Sequence, residues 1–181
     1  MNKIVILCGA NSCGKTTTMK GLFGIPKKAD SPEYYVEKKL DGKTVCAVSF
    51  SSPQEQVHDF CNFSEVQKNI NQRIIKSDEK ATTKPYFLII PFTMSGSRKE
   101  KKKVNKDCIL KPIEELRKSH KVFVIYLRKT KTHHRKEKDA LIEEIALIKD
   151  VEVIGPPILT TKSDYDKSKE LEKVLREKIL K

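Results

Sequence analysis

Residues Gly9-Ala10-Asn11-Ser12-Cys13-Gly14-Lys15-Thr16 set two glycines, a lysine and a hydroxyl at the spacing G-x-x-x-x-G-K-[ST]. Each fixed position has a chemical reason. Glycines let the backbone wrap closely around an anion, so that successive N–H groups, here those of Asn11 to Lys15, point at phosphate oxygens. Lys15 is placed to neutralise charge on the β- and γ-phosphates, and the Thr16 hydroxyl to hold Mg²⁺. Thr17 is within reach of an α-phosphate.

The flanking residues suit that chemistry. Lys3 to Cys8 is a short apolar run of the buried parallel-strand kind. Thr16 to Phe23 can form a helix ending near Gly24 and Pro26. That helix would add the partial positive charge of its N-terminus to the same place. On these residues the chain resembles the P-loop NTPase superfamily, as a small stand-alone, prokaryotic-type ATP-binding member, over about the first 24 residues. The resemblance implies a three-layer α/β fold with a mainly parallel sheet and helices on both faces. It also implies nucleoside-triphosphate substrates, ATP or GTP, used with Mg²⁺.

The length of 181 residues suits a single domain over 1–181. Apolar residues make up 38% and charged residues 34%, a globular but strongly solvated composition. No segment has the length of a membrane span, and the N-terminal apolar run is too short for a signal peptide, so no membrane partner and a cytoplasmic location are expected. The five cysteines show no C-x-x-C pair, which suggests reduced thiols that mostly fill the core. Cys13 could be oxidisable beside a helix N-terminus, but filling a tolerant position of the loop is the simpler role. His58, His120, His133 and His134 lack metal-ligand spacing.

Charge is unevenly placed. Arg98 to Lys106 and Arg128 to Lys138 each carry six basic residues and one acid, and together hold ten of the thirteen excess positive charges. Each stretch follows an apolar run that reads as a strand. If those strands run parallel to the first, both stretches emerge at the edge where open sheets bind ligands. They could meet an anionic second substrate or the phosphates of a nucleic acid, or form a lid through Arg98 or Arg128. With aromatics at 7% and no Trp, base stacking is poorly supported.

The remaining patterns supply the scaffold. Glu33 to Leu40 and Lys43 to Phe50, joined by Asp41-Gly42, read as a two-residue hairpin. Ser52-Pro53-Gln54-Glu55 reads as a capping box opening a helix with Val57, Phe60 and Cys61 on one face. Ser64 to Gln67 opens another, carrying Val66, Ile70 and Ile74. Strands at Tyr86–Phe92, Lys121–Leu127 and Val151–Ile154 alternate with helices at Asp107–Ser119, Lys136–Lys149 and Ser163–Leu180. Such alternation predicts right-handed crossovers and a parallel sheet with one antiparallel hairpin strand.

Two GTPase features are missing. No D-x-x-G follows the second hairpin strand, where Ser49 to Glu55 stands, and no N-K-x-D is present. No apolar strand ends in the acid that usually orients Mg²⁺ through water, which leaves Glu55 as the best-placed carboxylate; Asp30, Glu33, Ser49 and Ser51 are weaker candidates. The site expected is therefore Gly9, Ala10, Asn11, Ser12, Cys13, Gly14, Lys15, Thr16 and Thr17 for nucleotide, Thr16 for metal, and Lys15, Glu55 and Arg128 for catalysis. The leading expectation is Mg-dependent ATP binding and hydrolysis. A small-molecule or nucleotide kinase is one alternative, and a nucleotide-binding regulatory or nucleic-acid-associated module with little turnover is the other.

Overall fold

The computed structural model describes residues 2–10, 13–26, 35–56, 62–94, 106–129, 135–161 and 166–181. Its centre is β1 (Lys3–Gly9), where Ile4 to Cys8 are fully buried. Successive side chains of a strand point to opposite faces. Ile4, Ile6 and Cys8 accordingly enter one apolar core and Val5 and Leu7 the other. A strand buried on both faces needs a continuous apolar run, which is what this sequence provides.

β2 (Val36–Leu40) and β3 (Lys43–Ala47) form the expected hairpin, with Leu40 opposite Lys43. Asp41 and Gly42 both take positive φ, 50° and 75°, as a two-residue turn of matching twist requires. β4 (Tyr86–Thr93), β5 (Lys121–Lys129) and β6 (Val151–Thr160) complete a six-stranded sheet of order β2-β3-β4-β1-β5-β6. All neighbours are parallel except β2 and β3. β6 runs beyond the Val151–Ile154 expected, because a register shift after Ile125 lets it pass Gly155-Pro156-Pro157 and resume pairing at Leu127–Ile158.

Helices cover both faces. α1 (Lys15–Leu22) and α5 (Ser168–Val174), the latter continued as a π-helical turn over Leu175–Ile179, bury Met19, Leu22, Leu171, Leu175 and Ile179 in one core. α2 (Phe63–Lys80), α3 (Asp107–Leu116) and α4 (Arg135–Ala146) bury Val66, Ile70, Ile109, Ile113, Leu141 and Ile145 in the other. Each fully buried aliphatic side chain contributes about 1.5–3 kcal/mol, so the helical stripes read from the sequence are what hold the layers together.

Two helix starts differ from expectation. α2 begins at Phe63, capped by the Asn62 side chain, which accepts from Glu65 N–H at 3.2 Å. Ser64 is therefore inside the helix, because Asn62 already satisfies the exposed N–H groups. Ser52 to Glu55 forms only a short 3₁₀ turn, Pro53–Glu55. Val57, Phe60 and Cys61 lie outside the described residues, as does Ser163 at the expected start of the last helix.

Candidate functional site

β4 and β5 flank β1 on opposite sides, so the chain reverses direction across the sheet at the carboxyl end of β1. Crevices outside the strand ends at such a switch are the usual ligand sites of open α/β sheets. The Gly9–Thr16 turn lies in that position. Gly14 caps α1 with φ 91°, a left-handed conformation that costs a non-glycine residue about 1–2 kcal/mol. Gly9 is needed for space: a Cβ there would meet Cys13 Sγ and the Leu127 carbonyl oxygen, each at 2.6 Å. Cys13 is fully buried beneath it, consistent with the role of a filler. Of its buried neighbours, the Cys8 thiol is pushed up to about 12 by burial. Among the described residues Cys8, Cys13, Cys46 and Cys108 are buried thiols outside any disulfide, and Cys61 lies outside them.

Lys15 is only 6% exposed. Its ammonium donates to the carbonyls of Ala10 at 2.9 Å and Gly9 at 3.2 Å, and approaches Cys13 Sγ at 4.0 Å. Among the described residues none of these partners is a carboxylate. Among the described residues this buried cation meets neutral oxygens and a sulfur but no carboxylate, at a helix N-terminus with no acidic residue in its first turn, so positive charge there has no described counter-charge. Thr16 Oγ1 donates to the Phe50 carbonyl at 3.1 Å, which ties α1 to the segment after β3. Thr160 Oγ1 donates to the Cys13 carbonyl at 3.1 Å, which anchors the turn to the end of β6. Asn11 and Ser12 lie outside the described residues.

The segment after β3 brings Glu55 to the same edge. Ser52 N–H donates to Glu55 Oε2 at 3.2 Å, and Thr93 Oγ1 donates to Glu55 Oε1 at 3.1 Å. The Ser52 hydroxyl contacts Thr93 Oγ1 at 2.8 Å. Thr93 ends β4 directly across from Gly9, and the next residue, Met94, donates its N–H to the Gly9 carbonyl at 3.0 Å. The carboxylate missing from the end of β4 is thus delivered there from another segment. Glu55 itself is exposed, whereas Ser52, Gln54 and Thr93 are buried.

The Glu55 turn is held from behind. Buried Arg73 on α2 donates to Gln56 Oε1, as does Asn69 Nδ2, and Gln56 Nε2 donates to Ser49 Oγ at 3.2 Å. Sequence reading missed Arg73, Gln56 and Thr93 as supports. A buried arginine on the apolar face of α2 was the one available signal.

Arg128 emerges one residue beyond the Gly9–Leu127 pairing. Its guanidinium sits 3.4 Å from Asp139 on α4, which also faces Arg135 at 3.4 Å. Burial, followed by the charge and hydrogen bond of Asp139, pushes the neighbouring Tyr126 hydroxyl above its ordinary range. β4 and β5 are parallel to β1, so both end at the carboxyl edge, where Arg128 and Lys129 close β5. Arg98 and most of its stretch, His58, His133, His134, Asp30 and Glu33 lie outside the described residues. His120 contacts Ser119 Oγ at 2.9 Å at the opposite edge, beside a cleft of about 450 Å³ lined by Arg117, Lys121, Asp150 and Glu152. No group of three metal-ligating side chains occurs among the described residues.

No family model matches this chain. No curated protein matches it either.

Proposed function

We propose that the chain binds the triphosphate of ATP, or of GTP, together with Mg²⁺ at the Gly9–Thr16 turn and hydrolyses it, as the resemblance to P-loop NTPases implies. The observation that carries this reading is the buried Lys15 ammonium, held by two main-chain carbonyls and, among the described residues, by no carboxylate. Such a group is costly unless an anion joins it, and a polyphosphate tail supplies that anion.

The residues present suit the two groups that would bind. Gly14 frees the backbone to approach phosphates, and Lys15 would exchange its carbonyl partners for phosphate oxygens. Mg²⁺ keeps several waters and takes few protein ligands, so Thr16 Oγ1, released from Phe50, would serve as direct ligand and Glu55 through water. Bound there, the metal would neutralise phosphate charge. Glu55 is anchored by Ser52 N–H and Thr93 at the end of the strand beside β1, where it can accept a proton from an attacking water. Arg128 would stabilise charge on the transferring group after parting from Asp139. Catalysis on this arrangement is positioning plus electrostatics.

A second reading, binding with little turnover, is favoured by one observation: both oxygens of the Glu55 carboxylate are already hydrogen-bonded. A kinase would need an acceptor site. Calorimetric titration with Mg-ATP and Mg-GTP decides binding, and phosphate release decides turnover. The absence of both heat of binding and phosphate release with folded protein would end the proposal.

A further inference from the structure

The amino edge of the sheet, opposite the Gly9–Thr16 turn, carries the cleft of about 450 Å³ noted above. That volume is in the range of small-molecule sites. Two neighbouring turns build it. Arg117 closes α3, and His120 and Lys121 lead into β5. Asp150 follows α4, and Val151 and Glu152 start β6. β5 and β6 pair in parallel with Val122 opposite Val151, so the two turns lie side by side.

Some charges of this cleft answer one another. Lys121 pairs with Glu152 at 3.6 Å and lies over the Phe123 ring at 4.8 Å, and His120 contacts Ser119. Arg117 and Asp150 remain. Among the described residues neither side chain makes a hydrogen bond or an ion pair, with each other or with any other group. Arg117 is half-buried, and its Nε is closed off from solvent without an acceptor. A cation at the end of a helix gains from the helix dipole, which explains a basic residue at this place. It does not explain a guanidinium that loses water at Nε and meets no acceptor.

A guanidinium fork fits a carboxylate, and a carboxylate accepts from an ammonium group. An unpaired Arg117 and an unpaired Asp150 on the walls of one cleft therefore match a ligand that carries both groups. A simple anion there is opposed by Asp150 and Glu152, and a simple cation by Arg117 and Lys121. A molecule bearing both charges escapes either repulsion.

We propose that this cleft binds a small zwitterion of the amino-acid kind, with Arg117 taking its carboxylate and Asp150 its ammonium group. The site is separate from the Gly9–Thr16 turn, and the inference is independent of the nucleotide reading.

The experiment follows backbone amide shifts by NMR at constant ionic strength. Glycine, β-alanine and 4-aminobutyrate are titrated in, three zwitterions of increasing charge separation, with acetate and ethylammonium as half-ligands. The proteins are wild type, Arg117→Gln and Asp150→Asn. Each substitution removes one charge that has no partner to lose, and asparagine tolerates the φ of 65° at position 150. Expected are saturable shifts at His120 and Val151 with at least one zwitterion, roughly tenfold tighter than either half-ligand. Each variant should weaken that binding by about tenfold or more. Acetate binding as tightly as every zwitterion would overturn the proposal and leave a plain anion site. So would affinities in both variants within about twofold of wild type, or no saturable shift at these amides up to about 10 mM of any zwitterion. If a variant fails to fold, the comparison of zwitterions with half-ligands on wild-type protein decides alone.

Discussion

At the scale of single residues, the site depends on charges with few counter-charges and on two glycines with no substitute. Removing the Lys15 ammonium should lower Mg-ATP affinity by about 10²-fold or more in calorimetry, without lowering the thermal midpoint, because a buried cation without a carboxylate is itself a burden on the fold. Glu55→Gln separates structure from chemistry. Glutamine also serves as the third residue of a capping box, so stability should stay within about 0.5 kcal/mol, while phosphate release falls roughly 10²-fold. Unchanged turnover in that variant would show that Glu55 only caps its turn. Gly14→Ala should lower the unfolding free energy from urea titration by about 1–2 kcal/mol, since φ 91° is strained for alanine.

At the scale of elements, two devices hold the scaffold under the site. α2 carries Arg73, which fixes Gln56 beside Glu55, and its start depends on the Asn62 cap. Asn62→Ala should cost about 1 kcal/mol of stability, read by chemical denaturation. The edge hairpin is held by carboxylates. Burial alone would raise Glu37, but hydrogen bonds from Thr82 and Tyr35 outweigh it and hold the carboxyl below 4.5, its ordinary value. Glu172 on α5 is lowered by hydrogen bonds from Lys38 of β2 and from Arg176. For carboxyls lowered in the folded state, the stabilisation is complete above the unfolded value and disappears as pH falls through the folded values. Both groups are part-exposed and screened by solvent, so the effect is local and modest. Amide protection factors in β2, taken against the intrinsic exchange rate, should therefore fall below about pH 4.5 before those in β1 do, and an equal fall in both strands would contradict this.

At the scale of the molecule, β4 and β5 run parallel to β1 and end at its carboxyl edge, where Arg128 stands. Some of this charge is compensated: Arg128 and Arg135 face Asp139, and Lys106 pairs with Glu144. Any nucleic-acid binding through the two basic stretches would be to phosphates. Its affinity should fall roughly 10³-fold between about 50 and 200 mM salt, measured by fluorescence anisotropy, and a flat salt dependence would remove nucleic acid from the list of partners. Among the described residues no helix is long and apolar enough to cross a membrane.

The local features of this protein were legible because contiguous residues encode them. The turn at Asp41-Gly42 needs positive φ at successive positions, the turn at Gly14 needs it once, and the apolar run from Ile4 to Cys8 can only be a strand covered on both faces. The amphipathic stripes fixed the class, α/β with a mainly parallel sheet, by their periods alone. What the linear chain could not state is which distant groups meet. The order of strands puts β4, and not the hairpin, beside β1, so Thr93 faces Gly9 and receives Glu55 from a segment 38 residues away in sequence. The turning of Lys138 inward, while Arg128 and Arg135 face Asp139 and Lys136 faces solvent, likewise follows from how α4 lies across the sheet. Dihedral preferences and hydrophobic period act within a few residues, whereas the meeting of side chains depends on crossovers whose geometry is set only when the two cores close.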